Sequence, residues 1–184
     1  MSRRLIATAV AVLACAMPLV ASAALSKVGG TVEIDAKVPL FNFTATSDEL
    51  KVSDDGKELK FSLPVKSIKT GIGPRDKDMI KRFSNGDVVL TVARDKVNFP
   101  TDKPTKGTVP GKVSLNGVTS DVAVHYTAKK EGGVIKVDAN FSFNYKPHHQ
   151  EPDGPKGGDK GACNLGVCVK SPLEVRLKDG QFKE

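Results

Sequence analysis

Gly133–Lys146 reads GVIKVDANFSFNYK, and the rhythm of this stretch decides the fold. Ile135, Val137, Ala139, Phe141, Phe143 and Tyr145 occupy the odd positions, and Lys136, Asp138, Asn140, Ser142, Asn144 and Lys146 the even ones. A period of two is that of a β-strand, whose successive side chains point to opposite faces. The segment is therefore a long strand with one dry and one wet face, as in an antiparallel sheet covered on one side. The same alternation recurs upstream. Asn116-Gly117 lies between Val113 and Leu115 on one side and Val122, Val124 and Tyr126 on the other, and Asn-Gly is the residue pair that a tight hairpin requires. Leu59, Phe61, Leu63 and Val65 share one parity, with Asp54-Asp55-Gly56-Lys57 reversing the chain before them. Phe41 and Phe43 form one face of an earlier strand, and Val32, Ile34 and Val38 an apolar set before that. Residues 100–110, with three prolines, read as a turn-rich connection. Downstream, Pro147 ends the strand and residues 147–162 form a glycine- and proline-rich loop. Val167 and Val169, then Leu173, Val175 and Leu177, resume the alternation, and Asp179-Gly180 and the last residues are expected to form a tail.

One stretch leaves this rhythm: Ser67–Phe83, SIKTGIGPRDKDMIKRF. Gly71, Gly73 and Pro74 break regular structure. Asp76 is placed to cap a short helix, on which Met79, Ile80 and Phe83 share one face. The chain is thus all-β, with roughly eight or nine strands and one short helical plug. Its 184 residues show no tandem repeat and make one domain. Long strands favour an antiparallel barrel over a sandwich, and a barrel of about eight strands has room for one small ligand.

Residues 1–23 are expected to be a cleaved secretory signal peptide: Arg3 and Arg4, an apolar run from Leu5 to Val20, then Ala21-Ser22-Ala23. The mature domain then spans residues 24–184. Val12-Leu13-Ala14-Cys15 resembles a bacterial lipoprotein box, so anchoring at Cys15 is the alternative. Losing Arg3 and Arg4, and no acidic residue, takes the net charge from +7 to +5. That charge is dispersed, without a basic block interleaved with aromatics, which disfavours nucleic acid and leaves room for transient contact with anionic lipid surfaces. An outer-membrane barrel is excluded by Lys136, Asp138 and Asn140 on the wet face and by the absence of Trp. Cys163 and Cys168 remain after export, in an oxidising compartment, and a structural disulfide between them is expected. A redox or metal role is the alternative, though redox pairs favour a two-residue spacing and no second cysteine pair completes a zinc site.

No catalytic set emerges. Ser84 and Ser120 lack evident His and acid partners, and no G-x-S-x-G, H-E-x-x-H or phosphate-binding glycine loop occurs. No cofactor and no metal are implied. His148 and His149, before Glu151 and Asp153, read as part of a solvated loop rather than a metal site, and His125 lies on a polar face. The apolar parity set is either a filled core or the lining of an apolar cavity. Such a cavity would suit a lipid or isoprenoid tail.

Ser67-Ile68-Lys69-Thr70-Gly71, Arg75-Asp76-Lys77-Asp78-Met79 and Phe83, followed by Gly111–Thr119 (GKVSLNGVT), resemble the YceI-like family of bacterial lipocalin-type proteins. Gly166-Val167-Cys168-Val169 and the strand Leu173–Leu177 are similar to the family's ending. The resemblance implies an extended eight-stranded antiparallel barrel with a short helix near its mouth. It further implies a periplasmic protein, not an enzyme, whose apolar channel holds a polyisoprenoid chain such as an isoprenoid quinone or polyprenyl lipid. Phe41, Phe43, Phe61, Leu63, Ile72, Met79, Ile80, Phe83, Val113, Leu115, Val124, Phe141 and Phe143 are the expected ligand contacts. A homodimer is compatible with this reading, and so is the rival of a filled barrel acting through its surface.

Overall fold

The computed structural model describes residues 24–39, 41–83, 86–148, 163–164 and 167–183, with only the backbone at 163, 164 and 167. The expected signal segment, Cys15, His149 and most of the 147–162 loop lie outside the described residues. In chain order the elements are β1 Ser26–Lys37, β2 Asn42–Ser47, β3 Lys51–Asp54, β4 Glu58–Pro64, α1 Gly73–Arg82, β5 Asp87–Ala93, β6 Thr105–Leu115, β7 Val118–Glu131, β8 Val134–Phe143, β9 Cys163–Asn164, β10 Val167–Cys168 and β11 Leu173–Lys183. Nine strands form one curled antiparallel sheet in the order β2-β1-β11-β8-β7-β6-β5-β4-β3, and β9 and β10 form a separate two-stranded ladder.

Strand β8 follows its alternation residue by residue. Ile135 and Phe143 are buried, Val137, Ala139 and Phe141 partly buried, and Lys136, Asp138, Asn140 and Ser142 exposed. The β6–β7 hairpin turns on Asn116 and Gly117, with φ of 53° and 76°, the two left-handed residues that a two-residue turn needs to match strand twist.

The two edges of the sheet belong to consecutive strands, and this draws the sheet shut. β2 pairs with β1, and β3 pairs with β4. The outer edge of β2 is closed by Thr46, whose N–H and C=O bond to the C=O and N–H of Lys69, both at 2.9 Å. Behind it the Ser47 and Ser67 hydroxyls meet at 2.7 Å. At the far end the Leu25 N–H donates to Asp54 Oδ2 at 3.2 Å. β2 and β3 thus act as two halves of one strand crossing from β1 to β4. The sheet has nine strands, within the eight or nine read from the alternation and one more than the eight that the resemblance implies.

Several boundaries differ from expectation. β1 begins at Ser26, ahead of the Val32 that opens its apolar set, and β11 runs to Lys183, so Asp179-Gly180 is no tail. Its register against β8 shifts between Leu177 and Gly180, a bulge that absorbs the Lys178-Asp179 interruption. Gly30 faces this bulge with φ of 102°; a Cβ on it would lie 2.6 Å from Gly180 Cα, so both positions exclude side chains. Pro110 lies inside β6 with its ring exposed, not in the connection before it.

Helix α1 starts at Gly73, earlier than expected, because Pro74 sits in the first turn where its missing N–H costs nothing. Met79 packs on Val32, Ala45, Leu63 and Ile68, and Phe83, just past the helix, on Val113, Phe143 and Tyr145. Ile80 is partly buried and belongs to neither cluster.

Candidate ligand-binding cavity

The dry faces of the staves enclose two cavities, one of about 500 Å³ beside α1 and one of about 160 Å³ beyond it. Leu63, Val88, Phe141 and Val175 line both and form the wall between them. Among the described residues the smaller cavity has no charged side chain in its wall. Leu25 and Phe182 close it at one side, and the Val97–Pro100 segment at another. That segment is pinned by the Asn98 N–H, which donates to Tyr126 Oη at 2.8 Å.

The thirteen expected contacts divide unevenly. Phe41, Phe43, Ile72, Met79, Phe83, Leu115 and Phe143 line the larger cavity. Phe61 and Val124 line the smaller one, and Leu63 and Phe141 line both. Val113 and Ile80 line neither; Val113 is packed at 0% exposure under Phe143 and Tyr145. Ile34 and Ala36 from β1, Val38 just after it, Ala45 from β2, Val65 and Ile68 after β4, and Leu173 and Val175 from β11 complete much of the larger wall. Val32, Ile34 and Val38 were legible as an apolar set in the sequence; that Ile34 and Val38 face this cavity was not.

At the rim Phe41 is 50% and Ile72 47% exposed, so an apolar edge opens to solvent there. Phe41 and Phe43 stand 6.4 Å apart at 47°, and the Arg75 guanidinium lies 4.0 Å from the Phe43 centroid and 5.7 Å from that of Phe41. Arg75, quoted above only within the family motif, is a wall residue of this cavity. Its neighbour Asp76 was expected to cap the helix and does not, since α1 has no side-chain cap. Asp76 Oδ1 instead accepts from the Thr70 hydroxyl at 2.6 Å and the Thr70 N–H at 2.9 Å, locking the strand exit to the helix. Burial alone would raise its pKa, but these bonds, helped by Lys69 and Arg75, outweigh that and hold it below 3.8. Asp78 accepts from Arg82 Nε at 2.8 Å, one helical turn on, which lets a 6%-exposed arginine line the cavity.

His148 corrects the reading of a solvated histidine. It is 1% exposed, stacked 4.8 Å from Phe143, with Nδ1 3.3 Å from the Leu115 carbonyl and Nε2 2.8 Å from Ser120 Oγ. Ser120 thus has a histidine partner, but the pair lines neither cavity, and Nδ1 meets a carbonyl rather than a carboxylate. Among the described residues no group of three or more His, Cys, Asp or Glu is placed to hold a metal ion. Cys163 and Cys168 face each other across the β9–β10 ladder; the Cys163 side chain lies outside the described residues.

Residues 19–167 match the model of the YceI-like domain. Two solved structures share the fold at low identity. A polyisoprenoid binding domain from Saccharophagus degradans implicated in plant cell wall breakdown has a TM-score of 0.64 at 11% identity, over 86% of this chain and 96% of that one. Burkholderia cenocepacia BcnA has a TM-score of 0.60 at 12% identity, over 84% of this chain and 96% of its own. No curated protein matches the sequence. With the domain model spanning most of its length and the curled sheet common to both solved structures, this chain belongs to the YceI-like family.

Proposed function

We propose that this protein is a periplasmic carrier that holds an isoprenoid chain, of an isoprenoid quinone or a polyprenyl lipid, for transport, storage or stress protection, and does not transform it. The observation that carries this reading is the pair of apolar cavities sharing four wall residues, with an apolar rim at the helix end. Removing tail carbons from water supplies the affinity, at about 0.8 kcal/mol per methylene. The polyisoprenoid binding of the Saccharophagus degradans domain supports the choice of tail. Exposed Phe41 and Ile72 suit brief contact with a membrane surface during loading, and a homodimer would cover the same two side chains.

The test is native mass spectrometry and organic extraction of protein purified from its own periplasm. An extracted isoprenoid is the expected result. A reproducibly empty protein that takes up neither quinone nor polyprenol would overturn the reading and favour a barrel acting through its surface. The same mass measurement reads the mature start, expected near Ala24, against a lipid-modified Cys15. It also reads the Cys163–Cys168 disulfide, which the ladder register supports because antiparallel partners lie about 4.5–5.5 Å apart at Cα. Two free thiols under non-reducing conditions would remove the bridge.

A further inference from the structure

Among the described residues, three charged side chains reach the wall of the larger cavity: Arg75, Asp78 and Arg82. Asp78 and Arg82 answer one another through the 2.8 Å bond. Arg75 is engaged differently, lying over the rings of Phe43 and Phe41. The adjacent carboxylate of Asp76 is held by Thr70 and is not part of the wall. The cavity therefore carries one positive charge in excess, and carries it beside the exposed rim of Phe41 and Ile72. The guanidinium carbon lies 4.0 Å from the Phe43 centroid and 5.7 Å from that of Phe41. The N–H groups lie in the guanidinium plane, and their fork geometry matches two oxygens of one anion. Apolar walls strengthen such a bond by excluding competing water.

From this we infer that the cavity selects an amphiphile with a single anionic headgroup, a phosphate monoester or a carboxylate, bound at the rim by Arg75 with its tail among the apolar walls. The inference rests on the lipid-binding reading above and narrows it, since a neutral quinone or alcohol brings the Arg75 N–H groups no anion to bind.

The test compares the binding of farnesyl phosphate with farnesol, and of palmitate with hexadecanol, by calorimetry on the mature protein. In each pair the tail is constant and only the headgroup charge changes; the two pairs separate an isoprenoid source from an acyl one. The anion should bind about tenfold tighter than its alcohol at low salt. The gap should narrow as salt rises. Arg75→Gln should remove the gap by weakening the anion alone, and Arg75→Lys should keep part of it. Equal affinities within both pairs in the unaltered protein would overturn the headgroup assignment and leave the lipid carrier standing, as would an Arg75→Gln loss shared equally by anion and alcohol. Failure of all four ligands to bind would overturn both.

Discussion

Ala139→Phe tests whether the two cavities act as one compartment. Ala139 projects from β8 into the smaller cavity, opposite Tyr126 and Leu177. The larger cavity, about 500 Å³, has room for about sixteen carbons at roughly 30 Å³ per water-sized group. The smaller, about 160 Å³, adds room for about five, one isoprene unit. A farnesyl chain then fits beside α1 alone, whereas a geranylgeranyl chain must pass the Leu63, Val88, Phe141 and Val175 wall. Five carbons at about 0.8 kcal/mol each are worth about 4 kcal/mol as an upper limit, roughly a thousandfold in Kd. A phenyl ring in the smaller cavity should remove that gain. Calorimetric titration with geranylgeraniol and farnesol is the assay: the longer chain should weaken towards the shorter one, whose affinity should hold. Thermal melting controls for overpacking, which costs about 1–3 kcal/mol. Undiminished geranylgeraniol binding, or equal loss of both chains, would refute the two-cavity reasoning.

Asp54→Ala should lower stability by about 3–5 kcal/mol in chemical denaturation, because the 1%-exposed Asp54 side chain pairs with Arg94 at 3.0 Å and holds Leu25. Burial raises the Asp54 pKa, but bonds from the Gly56 N–H, Arg94 and the Leu25 N–H outweigh it and hold it below 3.8; its contribution is therefore intact above that value and lost as pH falls through the lower folded one. His148 behaves as a buried neutral base. Burial lowers its pKa below 6.5, only partly offset by Leu115 and Val118, so the unfolded chain takes up the proton first and stability declines as pH drops from 6.5 towards the folded value. His148→Phe should be less stable at pH near 7 yet lose this slope, which melts from about pH 7 to about pH 5 would show. Tyr126→Phe removes the acceptor of the Asn98 N–H and should cost about 1 kcal/mol, with faster hydrogen exchange confined to the 97–100 segment.

How much of this was legible depended on whether each element obeyed one period. β8 did, and its inward and outward residues are those its parity names. β11 was cut short because Lys178-Asp179-Gly180 interrupts the alternation, and only a partner strand reveals that a bulge resumes it. Gly29 and Gly30 carry no apolar signal in the sequence, and only the neighbouring strand shows their use, which is to admit Gln181 and Gly180. His148 was misplaced because a Pro-His-His run in a polar loop carries no sign of the Phe143, Ser120 and Leu115 that enclose it. Parity also cannot separate filled from hollow. Val113 and Leu115 share a face of β6, yet the first is packed under Tyr145 and the second borders the larger cavity. That difference arises from residues far along the chain, as does the position of Arg75 over Phe43.

The antiparallel pairing of β1 with β11 sets Ser26 opposite Lys183, almost the whole described chain apart. Local hairpins such as β6–β7 can form as soon as their residues exist, but this seam has to wait for the last strand. Closing so long a loop comes late and slowly in folding, because its entropy is lost before its contacts form. Until then the dry faces of the staves stay open to water and neither cavity is enclosed. A chain shortened by its last twelve residues would lose β11 altogether and leave β1 and β8 without the strand that joins them. Closure of both cavities therefore depends on β11, the last strand of the sheet along the chain.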